Sequence, residues 1–87
     1  MSSLESRNPV RQPAAVSELG RRVKQRRDEL GLTLRACAEG HDFSYGWLGK
    51  LESGIRNPTL ASLLDVAEAL DTSLASLVEG LSYTPAE

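Results

Sequence analysis

The chain of 87 residues lacks the residues that stabilise most small secreted or metal-binding domains. It contains one cysteine and one histidine, which together exclude an internal disulfide and a four-ligand metal site. No apolar run approaches the roughly 20 residues that a membrane-spanning helix needs, and residues 1–13 lack the apolar segment of a signal peptide. We therefore expect a cytoplasmic protein with no metal and no other cofactor.

Basic residues are absent from the C-terminal third of the chain. Residues 1–56 contain all 10 Lys and Arg and 7 of the 12 Asp and Glu, so they carry a net charge of +3, whereas residues 57–87 carry −5. The sequence pI near 5.4 is low for a nucleic-acid-binding protein. A positive portion of an acidic chain can still bind phosphates, but an ordinary solvated surface can show the same asymmetry by chance.

Helical periodicity follows an N-terminal stretch that has none. Each periodic segment is preceded by a residue whose hydroxyl can cap a helix, namely Ser17, Thr33, Ser44, Thr59 and Ser73. The pattern predicts an all-α domain of five helices over residues 17–81, a disordered arm over residues 1–16 and a short polar tail over residues 82–87. The arm contains Arg7 and Arg11, for which DNA contact and no role at all both stay open.

The stretch from Thr33 to Pro58 predicts a helix, a turn and a second helix. The turn is expected at Gly40-His41-Asp42, where Asp42 would tolerate a left-handed conformation. The second of these helices presents Leu48 and Leu51 to the core. Its outward face carries Tyr45, Gly46, Gly49 and Lys50.

The two outward glycines are unexpected because each costs a helix about 1 kcal/mol relative to alanine. Close approach to a DNA groove or to another chain would explain them, and so would simple tolerance in a packed helix. The sequence leaves both explanations open.

Three other features of the sequence limit the chemistry of the chain. Arg27 falls on the apolar face of the first helix and therefore requires an acidic partner, and Cys37 is expected to be a small core residue. His41, Asp42 and Ser44 lie too close in sequence, on a sharp turn, to orient a base onto a nucleophile. We therefore expect a protein that is not an enzyme.

These features, taken together, resemble the Cro/C1-type (XRE-like) helix-turn-helix family of regulators, which have a lambda-repressor-like DNA-binding domain. The most specific part of the resemblance is the run Leu-Glu-Ser-Gly-x-Arg-Asn-Pro that follows the turn. The resemblance covers about residues 17–81 and includes Leu19-Gly20, Val23, Arg27, Gly31-Leu32-Thr33, Ala38, Ser44, Trp47-Leu48, Leu51-Glu52-Ser53-Gly54, Arg56-Asn57-Pro58, Leu63 and Ala67-Glu68-Ala69-Leu70.

The resemblance implies a sequence-specific regulator that binds double-stranded DNA. Arg27 would pair with Glu52 and tie the first helix to the recognition helix, which starts after Ser44 and enters the major groove. Arg56 and Asn57 in the loop after that helix would contact the sugar-phosphate backbone, assisted by Thr33, Arg35 and the helix N-terminal amides. Trp47 would be a core residue, a contact residue or both. The residues expected to bind DNA are Thr33, Arg35, Ser44, Tyr45, Gly46, Trp47, Lys50, Arg56 and Asn57.

The chain departs from the pattern of the family at three positions. Leu34 replaces a frequent Gln that braces the first contacting residue, Asp42 replaces the usual turn Gly, and Arg26 replaces an apolar residue. Base readout would then depend mainly on Tyr45 and Lys50, with phosphate charge and DNA shape supplying most of the affinity. The alternative function is a protein-interaction module on the same fold, such as an antitoxin-like or partner-binding subunit.

The last helix carries a wide apolar stripe that includes Leu74, Val78 and Leu81. This stripe would form a dimer interface or pack entirely within the monomer. A homodimeric repressor or autoregulator on a palindromic operator would place its two recognition helices roughly 34 Å apart. Such a protein would be associated with the nucleoid.

Overall fold

The structure is a computed structural model that describes residues 13–83. Within these residues there are helices and no strands, so the predicted all-α fold of five helices is confirmed. The predicted arm up to residue 12, with Arg7 and Arg11, and the predicted tail from residue 84 lie outside the described residues. The helices are α1 Ala14–Glu29, α2 Leu34–Ala38, α3 Tyr45–Glu52, α4 Leu60–Ala69 and α5 Leu74–Val78.

Helix α1 begins earlier than the capping signal at Ser17 predicts. Pro13 precedes the helix and makes no side-chain cap, and Ala14 is the first helical residue. Val16, which was assigned to the arm, is buried. The predicted boundary at residue 16 is therefore wrong, because burial of an apolar side chain extends the helix past the position that a hydroxyl cap would favour.

The other four predicted helix starts are confirmed. The side-chain oxygens of Thr33, Ser44, Thr59 and Ser73 each accept a hydrogen bond from the amide three residues later, over 3.0–3.1 Å. Each bond satisfies one of the amides that a helix N-terminus leaves without an intrahelical partner. The first residues of α2 and α3 are thus fixed by local chemistry.

The turn between α2 and α3 differs in detail from the prediction. Gly40, with a φ of +82°, takes the left-handed conformation that was expected at Asp42, because a residue without a Cβ takes this conformation at the lowest cost. The amide of Asp42 instead donates to the carboxylate of Asp65 in α4 over 2.9 Å. The turn is therefore attached to a helix that is distant in sequence.

The core lies where α1 and α3 cross. Val23, Leu48 and Leu51 are fully buried there, as predicted for the two leucines, and Cys37 lies among them. A Cβ on Gly20 would clash with the carbonyl oxygen of Leu51 and lie 2.7 Å from that of Glu52. A glycine at position 20 is thus what permits α1 to lie directly against the end of α3.

Two arginines of α1 hold the ends of the last two helices. Arg22 Nη1 donates to the carbonyl oxygens of Leu77 and Glu79 over 3.0 and 2.7 Å, and Arg26 Nε donates to that of Leu70 over 2.9 Å. The final carbonyls of a helix have no intrahelical donors, so these bonds cap α5 and α4. An arginine in place of an apolar residue at position 26 is explained by this contact.

The apolar stripe of the last helix is only partly available to a partner. Val78 and Leu81 are half-buried and pack against the core, and Leu74 is also half-buried. The α4 leucines Leu60 and Leu64, by contrast, are 64% and 52% exposed. The largest exposed aliphatic surfaces therefore lie on α4 rather than on α5.

Candidate nucleic-acid interface

The inner side of α3 is fixed by an ion pair to α1. Arg27 Nε and Nη2 donate to the two carboxylate oxygens of Glu52 over 2.7 and 3.0 Å, and Nη1 donates to the carbonyl of Leu32 over 2.7 Å. The two charged side chains are 11% and 7% exposed. Their hydrogen bonding raises the pKa of Arg27 further above its usual value. The structure thus brings together the two residues that were expected to pair.

The outer side of α3 presents several of the predicted DNA-contacting residues to solvent. Ser44, Tyr45, Gly46 and Lys50 are exposed. Trp47 is half-buried, and its ring lies tilted against that of Phe43 with 5.6 Å between the centroids. Trp47 therefore packs on the core side while part of it stays accessible, which fits the expectation of a residue shared between core and surface.

The loop after α3 starts from a fixed geometry. The amides of Gly54 and Ile55 donate back to the carbonyls of Leu51 and Lys50 over 3.0 and 3.1 Å, which is a Schellman closure with glycine in the left-handed position. Arg56 and Asn57 follow and are exposed, as is Thr33 at the start of α2.

The basic residues of the described chain fall into two groups. Each of the five on α1 has an acidic partner, at distances between 2.7 and 3.5 Å: Arg21 and Arg22 with Glu18, Lys24 with Asp28, Arg26 with Glu29, and Arg27 with Glu52. Arg21, together with Arg22, lowers the pKa of Glu18 to about 2, so that carboxylate stays charged. Between residues 13 and 83, no acidic partner occurs for Arg35, Lys50 or Arg56.

The position of a basic residue along the chain therefore does not show whether its charge is available, because several of these charges are neutralised by an acidic partner. The excess of +3 in residues 1–56 indicated only that some basic surface exists. Because its basic residues are paired, α1 is not a candidate for binding the phosphates of a nucleic acid. The remaining candidates are α2, α3 and the loop after α3. A charge count along the chain does not show this division, although the partners of Arg21, Arg22, Lys24 and Arg26 lie three or four residues away within α1 and the pairing of Arg27 with Glu52 was expected.

Arg35 and Tyr45 form a contact that the sequence did not predict. Arg35 Nη2 donates to the hydroxyl of Tyr45 over 2.8 Å, and the guanidinium carbon lies 4.1 Å from the centre of the ring. Leu34, where a bracing Gln was expected from the family pattern, contacts Gly49 instead: a Cβ at position 49 would lie 3.5 Å from Leu34 Cδ1. Arg35 supplies the polar link from α2 to α3 that Leu34 cannot make.

The turn is held from the opposite side by a pair that was also missed. His41 Nδ1 lies 2.7 Å from Asp65 Oδ1, and the His41 ring stacks on that of Phe43 with 5.6 Å between the centroids. The hydrogen bond from His41, followed by that from the amide of Asp42, holds the pKa of Asp65 below its usual range. The only histidine of the chain thus has a structural partner on α4.

The outward glycines are not required by packing within the described residues. A Cβ at position 46 would have Ser44 Oγ as its nearest neighbour at 3.9 Å, and one at position 49 would make ordinary contact with Leu34. Neither has a positive φ. The internal structure therefore gives no reason to prefer glycine over alanine at either position.

Comparison with known proteins identifies the family of the chain. Residues 18–79 match the family model described as a helix-turn-helix domain. A relative from Sinorhizobium fredii, named as the uncharacterized HTH-type transcriptional regulator y4dJ, is 37% identical over 67 residues, which are 77% of this chain and 87% of the relative.

Solved structures of regulators share the fold. The restriction-modification controller protein C.AhdI from Aeromonas hydrophila is 30% identical with a TM-score of 0.70, over 74% of this chain and 97% of its own. The clp gene regulator ClgR from C. glutamicum is 33% identical with a TM-score of 0.69, over 76% and 86%. The chain belongs to the helix-turn-helix family of transcriptional regulators, of the Cro/C1 (XRE-like) type.

Proposed function

We propose that the protein is a transcriptional regulator that binds double-stranded DNA with α3 in the major groove. The observation that carries the proposal is the position of the three basic residues without acidic partners in the described chain. Arg35, Lys50 and Arg56 lie on α2, α3 and the following loop, which are the elements that a helix-turn-helix applies to DNA. Unneutralised cations supply most of the affinity of a protein for phosphates.

The residues of the interface have distinct proposed roles. Tyr45, Gly46 and Lys50 face base edges from the first two turns of α3, with Ser44 at its start. Arg56 and Asn57 contact the sugar-phosphate backbone from the loop. Thr33 assists them from the start of α2, and the accessible part of Trp47 lies at the edge of the same surface. Arg35 belongs to this surface through its contact with Tyr45.

We also propose that the regulator acts as a homodimer on a palindromic operator, as a repressor or autoregulator at the nucleoid. A small domain within a chain of 87 residues buries a modest fraction of its surface, so a partner would stabilise it. Leu74 and the accessible parts of Val78 and Leu81 form the proposed interface, and the exposed Leu60 and Leu64 of α4 supply a second apolar surface.

The dimer is tested by replacing apolar residues whose side chains the core needs least. Leu74→Glu and Leu64→Glu are compared with the wild type by sedimentation equilibrium and thermal melting. We expect the wild type to be a dimer. Leu74→Glu places a charge in the proposed interface and should therefore be a monomer that keeps its helicity. A wild type that stays monomeric at high concentration contradicts the dimer, and a Leu64→Glu effect without a Leu74→Glu effect moves the interface to α4.

DNA binding is tested by selection from random-sequence DNA, followed by titrations of the enriched sites at several salt concentrations. We expect an inverted repeat with half-sites about one helical turn apart and an affinity that falls steeply as salt rises. If no motif is enriched and affinity does not depend on salt, the DNA-binding proposal is wrong. The exposed Leu60 and Leu64 would then favour the alternative, a protein-interaction module on this fold.

A further inference from the structure

Arg35 and Tyr45 form one exposed unit that joins α2 to the first residue of α3. The side chains are linked twice, by the 2.8 Å hydrogen bond to the phenol and by the guanidinium over the ring at 4.1 Å. A hydrogen bond and a stacking contact together restrict the rotamers of a long side chain. The guanidinium is therefore held in one orientation before any ligand binds, which lowers the entropic cost of binding.

The orientation leaves part of the guanidinium available. Nη2 uses one of its two N–H groups in the bond to Tyr45, and within the part of the chain that the structure describes its second N–H, Nε and Nη1 have no hydrogen-bonding partner. A two-donor edge is therefore still available from Nη2 together with either Nη1 or Nε. Arginine presents its donors as a planar fork that suits two acceptors in one plane. On DNA, such pairs of acceptors are the O6 and N7 of guanine or two oxygens of a phosphate.

The surroundings of the unit favour guanine over phosphate. Glu39 lies four residues after Arg35, just past the end of α2, and lines the same cleft as Arg35 and Tyr45, together with Phe43 and Ser44. The negative charge of Glu39 at this cleft disfavours a phosphate more than it disfavours the edge of a base pair, which carries no net charge. The cleft is thus a poor site for an anion.

The position of Tyr45 leads to the same choice. N-terminal residues of a recognition helix contact base edges in the major groove, and Tyr45 is the first residue of α3. The guanidinium of Arg35 lies over the ring of Tyr45, so it would enter the major groove together with Tyr45. We propose that Arg35 reads a guanine through O6 and N7, so that it determines specificity, and that Tyr45 is its positioning residue. This inference rests on the proposed DNA-binding function.

The inference is tested by repeating the selection and the salt titrations with Arg35→Ala, Arg35→Lys and Tyr45→Phe. The wild type is expected to select a guanine at a fixed position of each half-site. Arg35→Ala should lose the preference for this guanine and keep the preferences at the other positions of the half-site. It should bind the best site about 10- to 100-fold more weakly. Arg35→Lys should also lose it because an ammonium lacks the fork, and Tyr45→Phe should weaken it while leaving the ring beneath the guanidinium.

A purely structural role for Tyr45 is excluded by a coupling measurement. If Tyr45 acts through Arg35, the phenol matters for that guanine only while Arg35 is present. Tyr45→Phe should therefore weaken binding to the best site in the wild-type background and weaken it clearly less in the Arg35→Ala background, whereas equal losses in the two backgrounds would contradict a role through Arg35. Melting temperatures of the variants should match the wild type, since both side chains are exposed.

Other outcomes separate this inference from the proposed function. A loss that is uniform across sequences, with a salt slope shallower by about one, would make Arg35 a phosphate contact and overturn the inference. An unchanged motif and affinity in Arg35→Ala would overturn it as well, while DNA binding itself stands. If the wild type enriches no motif and shows no salt dependence, the proposed function fails and the inference fails with it.

Discussion

The two sides of α3 differ in how they are held. On the inner side, Leu48 and Leu51 are fully buried and Glu52 is clamped by Arg27. A neighbouring backbone lies so close that position 20 must be glycine. On the outer side, a Cβ on Gly46 would meet nothing closer than Ser44 Oγ at 3.9 Å, and Lys50 has no acidic partner among the described residues.

This contrast shows how one short helix can be held rigidly in the fold and still expose one side to a ligand. The inner side fixes the axis of α3 to α1, so the outer side needs few contacts of its own to be correctly placed. Residues of the outer side can therefore be chosen for a ligand and not for stability. Changes on the inner side should alter the free energy of unfolding, and changes on the outer side should alter binding to DNA.

The largest effect is expected from Glu52→Ala. It leaves the buried guanidinium of Arg27 without its carboxylate, which typically costs about 3–5 kcal/mol. Thermal or urea unfolding measures the loss. Lys50→Ala, on the same helix but exposed, should stay within about 0.5 kcal/mol of the wild type. Similar losses in the free energy of unfolding for the two variants would show that the inner side of α3 is not more important for stability than the outer side.

Gly20→Ala should destabilise the protein by about 3 kcal/mol, because overpacking forces the backbone of α1 away from α3. The added methyl would meet the backbone oxygens of Leu51 and Glu52, which cannot rotate away as a side chain can. Urea unfolding of Gly20→Ala and Gly46→Ala compares the same chemical change at the two sides. A Gly20→Ala variant as stable as the wild type would mean that the close approach of the helices is not required.

Gly46→Ala and Gly49→Ala should raise the melting temperature, since alanine is favoured in a helix by up to about 1 kcal/mol and neither methyl meets a clash. We expect weaker DNA binding from the same variants, because the added methyl lies on the face that approaches the groove. Titration of each variant with the selected DNA measures its affinity. Unchanged affinity with raised stability would show that these glycines are merely tolerated in the helix.

The smallest effect is expected from Asp65→Asn, which weakens the attachment of the turn to α4. The pKa of Asp65 lies below its usual 3.8 because of His41 and then the amide of Asp42. A carboxylate with a lowered pKa stabilises the fold above its unfolded pKa, and this stabilisation is lost as pH falls through the folded pKa. The melting temperature of Asp65→Asn should therefore be lower at neutral pH and converge on the wild type below pH 3.8.

The control for this pH series is Glu68→Gln, which removes an exposed carboxylate from the same helix. It should show little difference from the wild type at any pH. A difference for Asp65→Asn that persists unchanged at the acid end would mean that the charge of Asp65 is not what stabilises the turn.

Local features of the fold could be predicted from the sequence, and contacts between distant residues mostly could not. Caps at Thr33, Ser44, Thr59 and Ser73 depend on a hydroxyl and an amide three residues apart, so the pattern contains all that is needed. The start of α1 depends on the burial of Val16, which is a tertiary effect. For this reason the same rule succeeded four times and failed at Ser17.

The candidate site shows the same limit. Exposure of Tyr45 and Lys50 followed from helical periodicity alone. The link from Arg35 to Tyr45 joins two helices across the turn, and the bonds of Arg22 and Arg26 reach carbonyls more than 40 residues away. Without these contacts the sequence indicated few base-reading groups on the outer side and did not show which of the basic residues at positions 1–56 have acidic partners. The structure shows that the basic residues of α1 are paired, and base reading by Arg35 is a proposal that its contact with Tyr45 supports.

The central claim is that only the basic residues without acidic partners bind DNA. It is tested most directly by the salt dependence of DNA affinity for Arg56→Ala and Arg21→Ala, two exposed arginines that differ in whether an acid pairs with them. We expect Arg56→Ala to lower the affinity and to make the salt slope shallower by about one, and Arg21→Ala to change neither. Equal losses in the two variants would contradict it.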